Sequence, residues 1–203
     1  MSLRERKTAK KKEDILRMAV SVLSEKGYDG TTMEEIASKL LMTKDSVYYY
    51  FRDKQDLLYQ SHSMLLEGSI ENVEGVQRQD LPVKDKLRRA MIVHIEYILM
   101  ERSGFEMMIK PEQYFSNPQI ETIFQLRDEY GKCFDQLILE GIEADAFGSV
   151  DVKIVRNIIL GAMNWVTQWY SEDGKKDKKE IAEDIADYLL HILIKNNNGG
   201  ETS

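Results

Sequence analysis

The chain has 203 residues, of which 42% are hydrophobic and 31% are charged, a composition typical of a soluble globular protein with one or two domains. Its single cysteine, Cys133, excludes an intramolecular disulfide. The sequence lacks a run of about 18 apolar residues, and no apolar segment follows the basic N-terminus, so we expect neither a transmembrane span nor a signal peptide. These features predict a cytoplasmic protein without a membrane partner.

Positive charge is concentrated at the N-terminus. The formal net charge is −7, yet residues 1–60 hold 12 Lys or Arg against 10 Asp or Glu, whereas residues 61–203 hold 16 against 25. The first 12 residues alone contain six basic side chains and one acidic one. This segment predicts a flexible arm that lies along phosphates or in a minor groove, and the alternative is a solvated, disordered basic tail.

Apolar residues at helical spacing predict a first helix over residues 15–26 that buries one face. Gly27 and Tyr28 follow it as a break in the pattern. The predicted core residues of this helix are Ile15, Met18, Ala19, Val22 and Leu23.

Residues 31–58 have the pattern of two short helices, a tight turn and the start of another helix. Thr32 and Glu35 form a capping-box signature, so a helix begins there, and Thr43 can cap a second helix after an interruption at Leu41 and Met42. The predicted buried residues are Met33, Ile36, Ala37 and Leu40 in the first helix, and Val47 with Tyr50 or Phe51 in the second. This layout indicates a helix-turn-helix, whose second helix projects polar side chains into a major groove about 12 Å wide.

The segment from residue 9 to residue 60 resembles the N-terminal DNA-binding domain of the TetR family of transcriptional regulators. The resemblance implies a ligand-responsive homodimer that acts as a repressor and reads palindromic operator DNA. The motifs that carry it are the helix over 15–26, Gly27-Tyr28, Thr31-Thr32, Ile36-Ala37, Tyr48-Tyr49-Tyr50-Phe51, and Lys54 followed by Asp56-Leu57-Leu58.

Two positions depart from the family pattern, which has Gly in the turn and a second Gly near the start of the recognition helix. This chain has Leu41 and Asp45 there. Leucine tolerates a positive φ poorly, so Leu41 predicts a rearranged turn. The Asp45 carboxylate either repels DNA locally or accepts a hydrogen bond from a cytosine N4 amino group.

The expected DNA contacts fall into three groups. A hydroxyl and two ammonium groups suit phosphate, whereas short polar side chains at the start of the second helix suit base edges. One hydroxyl of the tyrosine pair 49–50 is expected to bond phosphate while the neighbouring ring packs inward. The three groups are Thr32, Lys44 and Lys54 for phosphate; Thr43, Asp45, Ser46 and Tyr48 for base edges; and Tyr49 with Tyr50 as the intermediate case.

The remainder of the chain predicts further helices and no β-strand, so the whole chain is expected to be all-α. A long helix begins near Asp53 and runs toward Gly75, another follows Pro82 to about Met100, and a third spans 119–142. Breaks are expected at Ser103-Gly104 and around Pro111 and Pro118, among others. The predicted domains are residues 1–52, an N-terminal arm and DNA-binding domain; residues 53–195, a helical effector-binding and dimerisation domain; and residues 196–203, a disordered tail.

Methionine and aromatic side chains are concentrated in the larger C-terminal part. Such side chains suit an apolar cavity for a small effector, and the alternative is a closed core, since stripes of this kind are more often packing. With the family resemblance, the cavity is the favoured interpretation. The predicted effector-binding residues are Met91, Phe105, Met108, Tyr114, Phe124, Phe134, Trp165 and Trp169.

Residues 158–182 are similar to the regulatory domain of those TetR-family repressors that govern fatty-acid or sterol-fragment degradation and respond to acyl-CoA. This resemblance implies an acyl chain in the apolar interior and the CoA portion near basic surface, with Arg88, Arg89, Lys110 and Arg127 as candidates. An alternative function for Trp165 and Trp169, four residues apart, is dimer packing beside the small Gly161 and Ala162. Both functions are compatible, because family members pair through their last two helices.

Catalytic interpretations find little support. His62, His94 and His191 are far apart and lack metal-ligand spacing, Cys133 has no basic neighbour, and phosphate loops and nucleophile elbows are missing from the sequence. We therefore expect no enzyme, cofactor or metal site. The competing hypotheses are an effector-binding or scaffold protein whose helix-turn-helix has lost DNA affinity, and an α-helical enzyme for a lipid-like substrate.

Overall fold

A computed structural model describes residues 2–106 and 111–194. The described residues form α-helices and one short 3-10 helix and contain no β-strand, so the all-α prediction is confirmed. The helices are α1 (Leu3–Gly30), α2 (Met33–Lys39), α3 (Lys44–Tyr48), α4 (Lys54–Gln77), α5 (Val83–Met100), α6 (Arg102–Glu106), a 3-10 helix (Pro111–Gln113), α7 (Asn117–Glu143), α8 (Val152–Trp169) and α9 (Lys178–Leu190). Met108, Lys110 and the predicted tail 196–203 lie outside the described residues.

The described residues divide into two compact units. Unit 1 comprises those within Met1–Glu67 and Glu101–Arg127, and unit 2 those within Gly68–Met100 and Asp128–Ser203. Helices α4 and α7 contribute residues to both. This division by packing differs from the predicted functional boundary between residues 52 and 53, and that boundary stays a prediction.

Helix α1 supplies much of the core of unit 1. Its predicted inward residues Ile15, Ala19, Val22 and Leu23 are fully buried, whereas Met18 is only half-buried. The neighbouring Leu16 and Val20 are also buried, so the inward face of α1 is wider and turned slightly from the predicted stripe. The helix changes direction at Gly27, whose φ of 73° lies in the left-handed region that glycine adopts without strain.

The basic N-terminal segment is helical, which corrects the prediction of a flexible arm. Ser2 caps α1: its hydroxyl accepts from the Glu5 amide at 3.2 Å, and the Glu5 carboxylate accepts from the Ser2 amide at 2.8 Å. A capping box of this kind satisfies two backbone donors that a helix start leaves unpaired. Residues 3–12 also contain only good helix formers and Thr8, with neither Gly nor Pro.

The predicted break at Ser103-Gly104 occurs two residues earlier, since α5 ends at Met100 and α6 begins at Arg102, and both residues lie inside α6. Gly104 is needed for close packing rather than for a turn. A Cβ at this position would meet Leu65 Cδ1 at 2.3 Å and Val20 Cγ1 at 3.0 Å. Glycine here lets α6 approach α1 and α4 without a steric clash.

In unit 2, α5 packs against α8 and α9. Each helix buries one apolar face, as expected from 3.6-residue periodicity. The buried residues include Leu87, Met91 and Ile95 of α5, Val155, Ile159, Met163 and Val166 of α8, and Ala182, Ala186, Leu189 and Leu190 of α9. Among the residues described, no helix is sufficiently long and apolar to span a membrane.

Candidate functional site

Helix α2 begins where the capping signature predicts. The Thr32 hydroxyl accepts a hydrogen bond from the Glu35 amide at 3.2 Å. Only this half of the capping box forms, because the Glu35 carboxylate pairs with Lys26 of α1. Thr32 is exposed and its hydroxyl proton is available, so it has the geometry to donate to a phosphate.

The turn between α2 and α3 keeps a left-handed residue although glycine is missing. Leu41 has a φ of 54° and is 97% exposed. Its amide donates to Ser38 O at 3.0 Å, and the Met42 amide donates to Ala37 O at 2.9 Å, which is the Schellman pattern at a helix end. The prediction of a rearranged turn was therefore wrong: these two bonds hold the turn at a steric cost of about 1–2 kcal/mol for a non-glycine residue.

Helix α3 presents polar side chains at its first turn. Thr43 caps it, accepting from the Ser46 amide at 3.2 Å, and the two hydroxyl oxygens are 2.7 Å apart. Asp45 is exposed in this first turn. Ser46 is half-buried and already bonded to Thr43, so it is the least accessible of the predicted base-contacting residues.

The tyrosine run divides between surface and interior. Tyr48 and Tyr49 are exposed, Tyr49 by 77%, and Tyr50 is half-buried. The rings of Tyr49 and Tyr50 meet edge to face with centroids 5.0 Å apart. Phe51 and Val47 are buried, so the prediction that Phe51 packs inward is confirmed.

Lys44, a predicted phosphate ligand, is paired within the chain. Its ammonium forms an ion pair with Glu34 of α2 and lies 5.5 Å from the Tyr48 ring centroid. The hydrogen bond from Lys44 lowers the pKa of Glu34, and the same bond raises the pKa of Lys44. Both side chains are exposed, so a phosphate can compete for the lysine.

Lys54, the other predicted phosphate lysine, serves the end of α1. Its ammonium donates to Tyr28 O and, at 2.9 Å, to Thr31 O, and it lies 4.1 Å from the Tyr28 ring centroid. A cation at a helix C-terminus satisfies carbonyl groups that the helix leaves unpaired. Lys54 therefore has a structural role, and its contact with phosphate stays a prediction.

The predicted effector residues are distributed over both units. Unit 1 holds Phe105 and Tyr114, both half-buried, and Phe124, which is exposed. Tyr114 packs against Tyr28 with centroids 5.3 Å apart, and the Arg127 guanidinium lies 5.9 Å from the Phe124 ring centroid. Tyr114 and Phe124 thus have neighbours within unit 1, and the contact of all three side chains with an effector stays a prediction.

His62 is a buried polar group of unit 1 that the sequence analysis did not select. It is 4% exposed, packs edge to face with Phe115, and its Nε2 has no hydrogen-bond partner among the described residues. Burial, with a contribution from Arg127, lowers the pKa of His62 to about 3, so the ring is neutral. The signal was its four-residue spacing from the apolar Leu58 and Leu66, which places it on the inward face of α4.

His94 is the corresponding buried histidine of unit 2, and it is fully bonded. Tyr130 OH donates to its Nδ1, and its Nε2 donates to Asn164 Oδ1 at 3.0 Å. Burial lowers the pKa of His94 to about 4 and raises that of Tyr130. Phe134 lies edge to face with His94, and it and Met91 are completely buried.

Helix α8 carries an apolar stripe on its exposed face, opposite its buried residues. Trp165 is 65% exposed and Trp169 is 50% exposed, and a Cβ on Gly161 would meet no atom of the described chain within 4 Å. The positions recur every three or four residues, so they share one side of the helix. This α8 stripe consists of Ile154, Ile158, Gly161, Trp165 and Trp169.

The described part of the chain has no group of three or more His, Cys, Asp or Glu side chains placed to hold a metal ion.

Both parts of the sequence are similar to known protein families. Residues 15–60 match the family described as "Bacterial regulatory proteins, tetR family", and residues 80–193 match "Tetracyclin repressor-like, C-terminal domain". The chain is 25% identical over 179 residues to the Fatty acid metabolism regulator protein of Bacillus subtilis (strain 168), covering 87% of this chain and 92% of the relative.

Two solved structures have a similar fold. The TetR family transcriptional regulator PfmR from Thermus thermophilus aligns with a TM-score of 0.79 and 27% identity, covering 87% of this chain and 97% of PfmR. AibR, solved in complex with isovaleryl coenzyme A and operator DNA, aligns with a TM-score of 0.73 and 23% identity, covering 90% and 97% of the two chains. With family matches to both parts of the sequence, this chain belongs to the TetR family of transcriptional regulators.

Proposed function

We propose that this chain acts as a homodimeric repressor that leaves a palindromic operator when an apolar effector, a fatty acyl-CoA thioester, binds to it. The observation that carries the DNA-binding part is α3, a capped helix that exposes Thr43 and Asp45 at its start and Tyr48 and Tyr49 at its end. The N-terminal residues of a recognition helix are those that meet base edges. The likeness to a fatty acid metabolism regulator along most of both chains supports the effector class.

We assign the DNA contacts by their accessibility. Thr43, Asp45, Tyr48 and Tyr49 are exposed and suit base edges or the phosphates beside them. Thr32 donates its hydroxyl proton to phosphate. Lys44 must leave Glu34 to reach a phosphate, and Lys54 can use only the N–H that its two carbonyl partners leave free. Ser46 and Tyr50, which are half-buried, complete the proposed set.

We assign the α8 stripe to the dimer interface. Trp165 and Trp169, one helical turn apart, expose a large apolar area to water, and burying this area against a second copy stabilises the dimer. Gly161 permits the two copies of α8 to approach closely. Dimerisation places two α3 helices on half-sites about 34–36 Å apart, so a small change in their separation is sufficient to weaken operator binding.

We assign the effector to apolar side chains with a few polar groups among them, the usual composition of a ligand site. His62 is a candidate polar group, because its buried Nε2 has no partner in the described chain. The proposed apolar set is Met91, Phe105, Tyr114, Phe124 and Phe134, with Met108; Trp165 and Trp169 join it only if the dimer interface leaves them accessible. AibR, which was solved with isovaleryl coenzyme A, supports an acyl-CoA as the test compound.

The proposal includes a division of labour along the chain. Residues 1–52 read DNA, and residues 53–195 bind effector and partner subunit. We propose no catalytic activity, because relatives of this family are regulators, and we place the protein in the cytoplasm, where a bacterial regulator meets its operator.

The first test is fluorescence anisotropy of the full-length protein with a duplex selected in vitro from random DNA. Binding is measured at two salt concentrations, with and without a panel of acyl-CoA thioesters of increasing chain length and with free CoA as the control. We expect tight, salt-sensitive binding that a long-chain thioester abolishes and free CoA does not.

The outcomes separate the parts of the proposal. Binding that no thioester affects would retain the DNA-binding function and reject the acyl-CoA class. Failure to select any duplex would favour the alternative of an effector-binding protein with a DNA-incompetent helix-turn-helix.

A further inference from the structure

The basic side chains from Arg4 to Lys54 form two groups that differ in their partners. From residue 17 to residue 54, each Lys or Arg is engaged by a carboxylate or a carbonyl group. The pairs are Arg17 with Glu13 and Glu101, Lys26 with Glu35, Lys39 with Glu25, Lys44 with Glu34, Arg52 with Asp53, and Lys54 with the Tyr28 and Thr31 carbonyls. Net positive charge is therefore scarce on the helix-turn-helix itself.

The second group lies in the first turns of α1. Within the described chain, Arg4, Arg6, Lys7, Lys11 and Lys12 have neither a carboxylate nor a carbonyl partner, whereas Lys10 pairs with Asp14. Lys12 lies 5.9 Å from the Phe51 ring centroid. The capping box at Ser2 makes this segment helical, so the directions of these side chains are set by helical geometry. These cations are available for a ligand without the loss of an internal ion pair.

Two of the unpaired cations face a cleft. Arg4, Lys7 and Thr8, with Leu3, line a cleft of about 520 Å³ whose other wall is Tyr50. The polar groups in it are a guanidinium, an ammonium and two hydroxyls, so the cleft offers hydrogen-bond donors and positive charge, and its lining includes no carboxylate of the described chain. This chemistry fits a phosphate oxyanion.

The position of Tyr50 indicates that the phosphate bound in the cleft belongs to DNA. Tyr50 follows α3 directly in the helix-turn-helix, so the cleft continues the surface that reads DNA. We propose that this α1 cleft seats a phosphodiester of the DNA backbone beside the groove that α3 enters, and that Arg4 and Lys7 carry a larger share of the salt-dependent affinity than Lys44. This inference rests on the DNA-binding function proposed above and names the residues that anchor the duplex.

The test compares charge-matched variants of the full-length protein on the selected duplex. The double variant Arg4→Ala with Lys7→Ala empties the cleft of charge, and Arg6→Ala removes a cation of the same helix that does not line it. Alanine keeps the helical propensity, which circular dichroism verifies. The slope of log K against log salt changes by about 0.9 for each phosphate contact, so one phosphate per cleft in a dimer predicts a slope shallower by about 2 in the double variant.

We further expect the double variant to bind about tenfold to a hundredfold more weakly to selected and unrelated duplexes alike, because phosphate contacts do not depend on sequence. Arg6→Ala is expected to change the slope by much less. Tyr50→Phe, which loses only an uncharged hydroxyl, is expected to weaken binding several-fold and leave the slope unchanged.

Three results would overturn the inference. The first is a double variant whose salt slope equals that of the wild type. The second is an Arg6→Ala variant whose slope changes as much, per charge removed, as that of the double variant. The third is a double variant that binds DNA normally but is released at a different thioester concentration. The last would assign the cleft to the phosphates of CoA. Failure of the wild-type protein to bind any duplex would instead refute the proposed function, so the two failures are distinguishable.

Discussion

The two compact units differ in how their exposed groups are partnered: many charged groups on unit 1 pair within the chain, whereas an apolar stripe on unit 2 is exposed. On unit 1, the basic groups from Arg17 to Lys54 all have partners within the chain. On unit 2, the α8 stripe exposes two tryptophans that no described neighbouring side chain covers in the single chain. Ion pairs form locally and exchange readily with an external phosphate, whereas a broad apolar surface is satisfied only by another surface of similar size. The basic groups from Arg17 to Lys54 are therefore satisfied within one chain, whereas we propose that the α8 stripe is satisfied by a second copy.

The largest expected effect comes from breaking the stripe. Trp165→Glu places a charge in the proposed interface, and we expect dimer affinity to fall by at least about thirtyfold, since a central tryptophan contributes roughly 2–4 kcal/mol. Operator binding should fall with it. Sedimentation equilibrium and anisotropy measure the two effects.

Leu139→Glu is the matched control, since Leu139 is also an exposed apolar residue of unit 2 but lies on α7. It should remain dimeric. A Trp165→Glu protein that stays dimeric at low micromolar concentration would contradict the interface assignment.

Each unit buries one histidine, so the pH dependence of the free energy of unfolding reports on both interiors. Folding lowers the pKa of His62 to about 3 and that of His94 to about 4, so the unfolded chain binds protons below about pH 6.5 that the folded chain does not. Stability from these groups is therefore complete above pH 6.5 and declines as the pH falls. Between about pH 6 and 4.5 we expect the free energy of unfolding to decrease by up to about 2.7 kcal/mol per pH unit, as measured by urea denaturation at constant protein concentration.

Single substitutions separate the two contributions. His62→Phe should reduce that slope by about half and leave stability at neutral pH nearly unchanged, because no hydrogen bond is lost. His94→Phe should also reduce the slope, but it leaves the buried Tyr130 hydroxyl unpaired and should lower stability at pH 7 by about 1–3 kcal/mol. Equal stabilities of the two variants at pH 7 would argue against the Tyr130 to His94 bond.

A smaller effect, on the stability of unit 1, is expected at the turn between α2 and α3. Leu41→Gly removes the strain of a leucine at φ 54° but increases the freedom of the unfolded chain, and we expect a net gain of about 0.5–1 kcal/mol. Ser38→Gly, in ordinary helical geometry, should instead lose about 0.5 kcal/mol. Thermal unfolding of both variants measures the difference, and a destabilised Leu41→Gly protein would show that the leucine side chain contributes a contact of its own.

The smallest expected effect concerns the exposed pair of Lys44 and Glu34. Glu34→Gln releases the lysine, and we expect affinity for unrelated DNA to rise by about twofold to fivefold, since exposed ion pairs are weak. Lys44→Ala should lower affinity for all duplexes and make the salt slope shallower, by less than in the double variant of Arg4 and Lys7. An unchanged slope in Lys44→Ala would remove Lys44 from the set of phosphate ligands.

Local features were predictable from the sequence because they depend on neighbouring residues. The caps at Thr32 and Thr43 each bond an amide three residues ahead, and the burial of Val47 and Phe51 follows from helical spacing. The same reasoning placed the exposed polar start of α3. It failed for the N-terminal arm, because Ser2 and Glu5 form a capping box that makes this segment helical.

Tertiary structure alone decided the partners of the charged and buried groups. The bond from Lys54 to Tyr28 spans 26 residues and the pair of Lys44 with Glu34 spans 10, and neither spacing has a periodicity that a sequence pattern reveals. The unpartnered Nε2 of His62 likewise depends on which of the described residues the fold brings around α4. Most helices, the caps at Thr32 and Thr43 and the family were predictable from residue patterns, since these follow from local bonding and side-chain spacing. The availability of each cation and each apolar face depended on packing between distant segments.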